Sequence, residues 1–366
     1  MPKKSAPPAE ISANTIQAIR WNLDQVDEQL VALLNQRAEL ARRIGALKEA
    51  SDSITFVPAR ERAVLDHVST VGAGPLPPEA IRGIFQQVIA SCRNLEQPVK
   101  VAYFGPPFTF THYAAQMRFG VTSVLLPADT IAEVIDMVSH NKVNYGVVPI
   151  ENSTEGVVRE TLDALYRSTL NIADEVNVPV THSLWGCGAL DQVTTVYSHW
   201  QALAQCRNWL QRHLPQAQAQ AVASTARAAE TAAGHPETAA ICSFLAAEQF
   251  GLQPLAEHVE DSPYNRTRFI VIGPAMSQPS GHDKTSIVFS VKHVPGSLNH
   301  ALNILETHGI NLTLIESRPT KEMPWEYLFY VDFQGHVAEP RIATALDVLR
   351  GECMFLRVFG SYPEAS

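Results

Sequence analysis

Long apolar runs, paired cysteines and an excess of positive charge are all missing from this 366-residue sequence. No apolar run approaches the ~18 residues that a membrane-spanning helix needs, so we expect no membrane partner. The five cysteines have no paired spacing, which excludes a disulfide framework or cysteine zinc site and favours a reducing cytosol. The net charge of −9 argues against nucleic acid as a partner, because phosphates require a basic face. The first residues also lack the apolar stretch of a signal peptide, so we expect a cytoplasmic protein.

The front of the chain predicts long helices. Between positions 15 and 50 there is no proline and a single glycine, Gly45, and apolar residues recur at helical spacing. A helix of this length spans roughly 50 Å, and the two helices expected at 59–70 and 77–95 are too short to cover it. We therefore expect an all-helical dimer in which the long helices pair across a two-fold axis.

Basic residues recur along this first helix in positions that suggest an anion site. Arg37 and Lys48 are eleven residues apart and face nearly the same way, whereas Arg20 lies roughly 25 Å before Arg37. An antiparallel partner helix would bring its own Arg20 to the Arg37–Lys48 end, and Arg60 and Glu61 follow shortly after. These cations predict a pocket for a dianion, with solvated, snorkelling side chains as the alternative.

Strand and helix patterns alternate between residues 98 and 275, which predicts an α/β region with mainly parallel sheets. The expected strands are 99–104, 122–126, 144–149, 171–178, 193–197, 217–221, 238–242 and 267–272. The expected helices lie near 114, 129–140, 156–167, 199–213, 224–233 and 243–250. Extended connections after 170 and before 267 predict two crossovers, and hence two lobes with a cleft between them.

One stretch of this region, GVVPIENS at 146–153, predicts a buried strand that Pro149 stops, followed by a polar cluster. Ligands bind at such ends of open α/β sheets, although Ser153 or Thr154 could instead cap a following helix. Polar residues end or open other elements in the same way, with capping again the alternative: Thr109, Ser198, His199, Ser224, Thr225, Asn265 and Thr267. Arg268 is expected to meet the cleft as a partner for a carboxylate. No metal is expected, because the histidines have no metal-ligand spacing.

The last region, 283–366, follows a linker at 276–282 and predicts a ferredoxin-like βαββαβ order. Its expected strands are 285–291, 310–318, 325–334 and 352–360, and its expected helices are 296–308 and 338–349. Taken by itself, this region could serve only as a dimerisation surface.

The spacing of Arg20, Arg37, Lys48, Arg60 and Glu61 resembles that of the all-α chorismate mutase family. The resemblance implies that arginines clamp the two carboxylates of chorismate and that Arg20 comes from the partner protomer. It also implies that Lys48 and a late helical residue bind the ether oxygen, whose negative charge grows as the bond breaks.

Three positions depart from the commonest form of that family. Glu96 stands where glutamine often binds the ether oxygen, Cys92 where serine is frequent, and Val57 where aspartate often binds the substrate hydroxyl. Glutamate donates a hydrogen bond only when it is protonated. Mutase activity is therefore expected to fall as the pH rises, with a flatter profile in Glu96→Gln.

Motifs of the middle region resemble the prephenate dehydratase family: the Gly-Pro…Thr-Phe loop at 105–110, VPIENS at 148–153, SHWQALAQC at 198–206, STA at 224–226 and TRF at 267–269. The resemblance implies that prephenate binds between two lobes like those of periplasmic binding proteins. Thr267 would assist departure of the ring hydroxyl, and loss of carbon dioxide and water would give phenylpyruvate. The residues it implies around prephenate are Thr109, Glu151, Asn152, Ser153, Ser198, His199, Gln201, Ser224, Thr225, Asn265, Arg268 and Phe269.

This region also departs from its family at the first loop. Pro107-Phe108 replaces the usual Glu-Gly, and Trp200 replaces a usual proline. A glycine would let the backbone approach a ligand closely, so the change is expected to alter substrate affinity rather than reaction type.

Two motifs of the last region resemble the ACT regulatory domain, where they form a phenylalanine site between protomers. They comprise Gly296, Ser297, Leu298, Glu316, Ser317 and Arg318, with Ser297 in a position where alanine is common. The resemblances imply a bifunctional, cofactor-free chorismate mutase–prephenate dehydratase of phenylalanine synthesis, inhibited by phenylalanine. Its domains are expected at 12–96, 98–275 and 283–366, in a homodimer or a dimer of dimers.

Three rival functions stay open at this point. The first is a catalytically silent regulator built on the same domains, which the retained catalytic residues oppose and Pro107-Phe108 keeps open. The second is an extracytoplasmic solute-binding protein, which the helical front region opposes. The third is a dehydratase that prefers arogenate, whose amino group would need a carboxylate partner.

Overall fold

The structure is a computed structural model that describes residues 16–49, 56–71, 74–319 and 327–365. The front region consists of helices α1 (Ile16–Glu49), α2 (Pro58–Val71) and α3 (Pro78–Glu96). This confirms the three expected helices. Apolar side chains of α1 face solvent within the single chain: Leu30 is 51% exposed and Leu33 61%. The helices α2 and α3 therefore leave most of the α1 stripe uncovered, as its length predicts.

The next elements, in chain order, are β1 (Lys100–Phe104), α4 (Phe110–Phe119), β2 (Val124–Ala128), α5 (Ile131–Ser139), β3 (Tyr145–Asn152), β4 (Gly156–Val157), α6 (Arg159–Arg167) and β5 (Asn171–Pro179). There follow β6 (Ser183–Gly186), a 3₁₀ turn (Leu190–Gln192), β7 (Thr195–Ser198), α7 (Trp200–Gln205), α8 (Arg207–His213), β8 (Gln218–Ala221) and α9 (Thr225–Ala232). The region ends with β9 (Thr238–Cys242), α10 (Phe244–Gln249), β10 (Gln253–Ala256) and β11 (Arg266–Gly273).

These strands form two sheets, one in each of two lobes. The first has the order β2-β1-β3-β11-β5, and the second the order β10-β6-β9-β7-β8. The chain enters the second lobe after β5 and returns at β11, and these two strands pair antiparallel. The two crossings lie side by side, because the Val180 amide donates to the Asn265 carbonyl over 2.9 Å. This confirms the two predicted crossovers. The prediction of mainly parallel sheets was wrong, because both sheets also contain antiparallel strand pairs.

The GVVPIENS strand differs from its prediction in two ways. Pro149 does not stop β3, which continues to Asn152 with a shift in register against β11. A bulge of this kind accommodates a residue that has no N–H to donate. The alternative reading, a cap at Ser153 or Thr154, does not hold for helix α6, whose N-cap is Val158. The polar cluster is therefore free to line a site.

The last region confirms the βαββαβ order. Its elements are β12 (Asp283–Ser290), α11 (Ser297–Thr307), β13 (Leu312–Pro319), β14 (Tyr327–Gln334), α12 (Pro340–Glu352) and β15 (Phe355–Pro363). The sheet order is β13-β14-β12-β15, so β15 lies at the edge that meets β5 of the first lobe. The approach is close at Gly360, where an added Cβ would lie 2.2 Å from the Ile172 carbonyl oxygen. Phe359 and Tyr362 share one apolar core with the first lobe.

Candidate active sites

A cavity of about 500 Å³ lies among α1, α2 and α3. Its lining residues are Arg37, Leu40, Ala41, Ile44, Lys48, Val57, Arg60, Glu61, Val64, Ile89, Cys92, Arg93 and Glu96. These include every candidate chorismate residue except Arg20, which is exposed near the start of α1. Seventeen residues of helix, roughly 25 Å, separate Arg20 from Arg37, so one chain cannot bring both to this cavity.

Two of these side chains meet directly across the cavity. The Lys48 ammonium lies 3.1 Å from a Glu96 carboxylate oxygen. The contact depends on a close crossing of α1 and α3 at Gly45, where a Cβ would lie 2.9 Å from the Glu96 Cα. The sole glycine of the long helix thus has a packing role that sequence reasoning did not assign.

Glu61 forms the inner wall of the cavity and is held by two guanidinium groups. Its two oxygens lie 2.5 Å from Arg93 and 2.5 Å from Arg118. Glu61 and Arg93 are buried, and Arg118 is partly buried. Burial by itself would raise the pKa of Glu61, but Arg118 and Arg93 outweigh it and leave that pKa below its usual value. Sequence reasoning missed both arginines, because they lie 32 and 57 residues from Glu61.

A larger cavity of about 700 Å³ occupies the cleft between the two lobes. The candidate prephenate residues that line it are Thr109, Asn152, His199, Gln201, Ser224, Thr225, Asn265 and Thr267. They come from the carboxyl end of β3, the start of β11, and the N-termini of α4, α7 and α9.

A hydrogen-bond network fixes the Thr267 side chain at the base of this cleft. The Asn152 amide donates to the Thr267 hydroxyl oxygen and to the Asn265 side-chain oxygen, each over 2.9 Å. Asn265 donates in turn to the Gln205 side-chain oxygen over 2.9 Å, and His182 lies 2.8 Å from the same oxygen. Because the Thr267 oxygen accepts from Asn152, its own proton is available to a ligand.

The prediction that Arg268 meets the cleft was wrong, because its side chain does not line the cleft. Thr267 and Arg268 point to opposite faces of β11, as consecutive strand residues do. The Arg268 guanidinium is buried against the last region, 2.6 Å from Glu175, 2.6 Å from Asp332 and 2.9 Å from the Tyr362 hydroxyl. These partners, rather than a ligand, satisfy its charge.

Four other candidates are also absent from the cleft lining. Glu151 approaches Arg268 at 3.4 Å on the opposite face. The buried Ser198 hydroxyl donates to the Ile241 carbonyl, and Phe269 belongs to an apolar core. Ser153 accepts from the Arg266 amide and ties the strand ends together. These residues hold the walls of the cleft and do not face its interior.

The candidate effector motifs occupy two separate elements of the last region. Gly296 has a left-handed backbone, with φ +86°, and forms the N-cap of α11. Residues 316–318 belong to β13, the other edge strand of the sheet. Arg318 pairs with Asp163 of α6 at 2.8 Å, so this motif contacts the first lobe.

Family models match the chain in three consecutive parts. Residues 19–97 match chorismate mutase type II, residues 101–277 match prephenate dehydratase, and residues 285–351 match the ACT domain. A bifunctional chorismate mutase/prephenate dehydratase of Aquifex aeolicus is 44% identical over 355 residues, which covers 96% of this chain and 98% of the relative. One from Pseudomonas aeruginosa is 41% identical, with 96% and 98% covered. The chain belongs to the bifunctional chorismate mutase–prephenate dehydratase family.

A solved structure agrees with this family for the two later regions. Prephenate dehydratase of Arthrobacter aurescens in complex with L-Phe is 36% identical, with a TM-score of 0.67, and the match covers 73% of this chain and 90% of that one. As a chorismate mutase–prephenate dehydratase, the chain carries an isomerase activity and a lyase activity. It converts chorismate to prephenate, and prephenate to phenylpyruvate by dehydration and decarboxylation.

The interlobe cleft has further residues that sequence reasoning did not select. Gln205 and His182 complete the network around Asn265, and Arg159 brings a cation to the cleft from the first turn of α6. Gln205 had a sequence signal, since it lies one helical turn after Gln201. Burial lowers the pKa of His182, which favours a neutral ring. No group of metal-ligating side chains and no membrane-crossing helix was found among the described residues.

Proposed function

We propose that the cavity among α1, α2 and α3 binds chorismate and that the interlobe cleft binds prephenate. The first cavity is lined by three cations, Arg37, Lys48 and Arg60. Cations in a partly apolar pocket suit a substrate with two carboxylates, because such groups bind through charge-assisted hydrogen bonds. Lys48 and Glu96 would bind the ether oxygen, and Cys92 would contact the substrate from α3.

The interlobe cleft suits a dianion for a different reason. The N-termini of helices α4, α6 and α9 lie at the cleft. The residues that line it there are Thr109, Arg159, Ser224 and Thr225. Helix N-termini stabilise negative charge through their unpaired N–H groups. Since Arg268 is turned away, we assign the cationic contact with a prephenate carboxylate to Arg159.

Thr267 is the residue to which we assign the dehydration step. The observation that carries this assignment is the Asn152 amide, 2.9 Å from the Thr267 hydroxyl oxygen. With its oxygen occupied as an acceptor, the hydroxyl donates its proton to the departing ring hydroxyl of prephenate, which leaves as water, and Thr267 regains a proton from solvent. The carboxylate leaves as carbon dioxide and its electrons enter the ring, which becomes aromatic. The cleft orients the substrate and assists the leaving group.

The test compares two variants with both substrates supplied separately. Thr267→Ala is expected to lower dehydratase kcat by about 10²-fold or more, the usual contribution of a positioned proton donor, and to leave mutase kcat unchanged. Thr267→Ser keeps the hydroxyl and serves as the matched control with partial activity. Equal loss of both activities in Thr267→Ala would contradict separate sites, and full dehydratase activity would remove Thr267 from the chemistry.

We also propose that phenylalanine binds the ACT region at Gly296, Ser297, Leu298, Glu316, Ser317 and Arg318 and inhibits the dehydratase. The L-Phe complex of the similar dehydratase supports a phenylalanine effector. We propose that the enzyme is cytoplasmic. We also propose that it is a homodimer or a dimer of dimers, because the α1 stripe is exposed in the single chain. Inhibition by added phenylalanine, lost in Gly296→Val, tests the effector site. Light scattering with and without phenylalanine tests the assembly.

A further inference from the structure

Helix α4 connects the two candidate active sites of one chain. Its first residues, Phe110 and Thr111, line the interlobe cleft, and Arg118 in its last turn reaches Glu61 on the wall of the α1–α3 cavity. Ten residues of helix span about 15 Å. The carboxylate of one cavity is thus bound by a side chain that belongs to the lobe of the other.

The contact lies in a buried cluster of four charged groups. Arg118 binds Glu61 through one terminal nitrogen at 2.5 Å and Asp174 of β5 through its Nε. Arg93 binds the other Glu61 oxygen at 2.5 Å and donates to the Phe119 carbonyl at 3.1 Å. The two guanidinium and two carboxylate charges balance, which a buried cluster requires.

Aromatic packing extends the same junction. The Arg118 guanidinium lies over the Phe56 ring, 4.6 Å from its centroid. Phe56 precedes α2 but is buried in the core of the first lobe, with its ring centroid 5.0 Å from that of Phe119 and 4.9 Å from that of Tyr145. The segment that leads into Arg60 and Glu61 is therefore anchored in the dehydratase lobe.

Removing Arg118 would change what Glu61 and Arg93 can do. Each Glu61 oxygen now has its own guanidinium partner, so its orientation is fully determined. With Arg93 alone, the carboxylate could rotate towards a two-point contact or into the cavity. The Nε of Arg93 is buried with no hydrogen-bond partner among the described residues, and the Arg93 residue lines the same cavity.

We propose that Arg118, a residue of the dehydratase lobe, is a positioning residue for the mutase reaction. It fixes Glu61, and through Glu61 it fixes Arg93, in the wall of the chorismate pocket. The geometry of the first pocket thereby depends in part on a side chain of the domain that performs the second reaction. The proposal rests on the assignment of the α1–α3 cavity to chorismate.

Full-length Arg118→Met and Arg118→Lys are assayed with chorismate and, separately, with prephenate. Lysine keeps the charge but cannot bridge two carboxylates with a planar fork. We expect mutase kcat/KM to fall about 10-fold or more in Arg118→Met and less in Arg118→Lys, because a misplaced wall residue disturbs substrate orientation. Dehydratase kcat and KM are expected to stay within about twofold of wild type. The matched control is Arg82→Met. This substitution in α3 removes a more exposed ion pair with Asp66 of α2.

A double variant separates positioning from general destabilisation. If Arg118 acts through Glu61, then Glu61→Gln combined with Arg118→Met loses no more mutase activity than Glu61→Gln alone. Additive losses, or wild-type mutase parameters in Arg118→Lys and Arg118→Met, would overturn the proposal. If Arg118→Met fails to fold, the Arg118→Lys result and its cycle with Glu61→Gln decide. Absence of mutase activity in the wild type would instead refute the assignment of the pocket.

Discussion

Phe108 has a backbone conformation that glycine adopts without strain. Its φ of +70° lies in the left-handed region, at the position where the dehydratase family usually has glycine. The residue compensates through contacts with the second lobe: its ring lies 6.3 Å from that of Phe250, and its carbonyl accepts a hydrogen bond from Ser243 at 2.5 Å. Phe108 thus makes an interlobe contact while its backbone is strained.

This strain predicts an unusual order of stabilities. Phe108→Gly relieves the strain, whereas Phe108→Ala keeps it and loses the same packing, so we expect the glycine variant to be more stable by about 1 kcal/mol. Urea unfolding measures the difference. The control is Phe250, whose φ is −98°, where alanine should be the more stable replacement. Greater stability of alanine at both positions would show that the Phe108 conformation carries no strain.

Single residues also show which parts of the candidate sites could be predicted from the sequence. Helical periodicity predicted that Arg37 and Lys48 share a face of α1, and the family resemblance added residues of α2 and α3. All of them line one cavity: Arg37, Lys48, Arg60, Glu61, Cys92 and Glu96. Arg268 was expected beside Thr267, and the period-two alternation of a strand already placed it on the opposite face. Its partners could not be predicted, because Asp332 and Tyr362 come from another domain.

At the scale of elements, β5 joins all three domains through two adjacent carboxylates. Asp174 binds Arg118 beside the mutase helices, and Glu175 binds Arg268 and Lys284 beside the last region. Burial raises the pKa of Asp174 despite Arg118. Burial opposes ionisation of Glu175 too, but Arg268 and Lys284 outweigh it and lower the pKa of Glu175 below its usual value. A strand pattern in the sequence predicts β5 but gives no sign of these partners.

The lowered pKa of Glu175 predicts a specific loss of stability in acid. A group whose pKa is lower in the folded state stabilises the fold above its unfolded value, and that contribution disappears as the pH falls through the folded value. We therefore expect the wild-type Tm to fall steeply below about pH 4.5. Glu175→Gln should have a lower Tm at pH 7 and a shallower decline, as measured by circular dichroism. Glu248→Gln, on an exposed helix position, is the control, and parallel pH profiles of wild type and Glu175→Gln would refute the linkage.

At the scale of the whole molecule, the three regions were predictable because each has its own periodicity. What sequence could not supply was the contact surface between them, which includes long-range charged pairs such as Arg118 with Glu61 and Arg318 with Asp163. The expected dimer comes from a simpler property of α1. Its apolar stripe stays exposed in the single chain, including Leu23 at 56% and Leu40 at 52%.

Burial of this stripe against a second copy predicts that active mutase pockets are shared between protomers. Arg20→Ala and Arg37→Ala should each be inactive alone, because each removes a cation from both pockets of its dimer. A hybrid dimer keeps one pocket with Arg37 from one protomer and Arg20 from the other, while its second pocket lacks both. Unfolding and refolding an equal mixture should therefore restore about a quarter of wild-type mutase activity, if protomers pair at random across a two-fold axis.

Thr267→Ala mixed with Arg37→Ala is the control, since its hybrids gain no additional intact mutase pocket. No recovery in the first mixture, with dimers present by light scattering, would refute a pocket that combines Arg37 of one protomer with Arg20 of its partner.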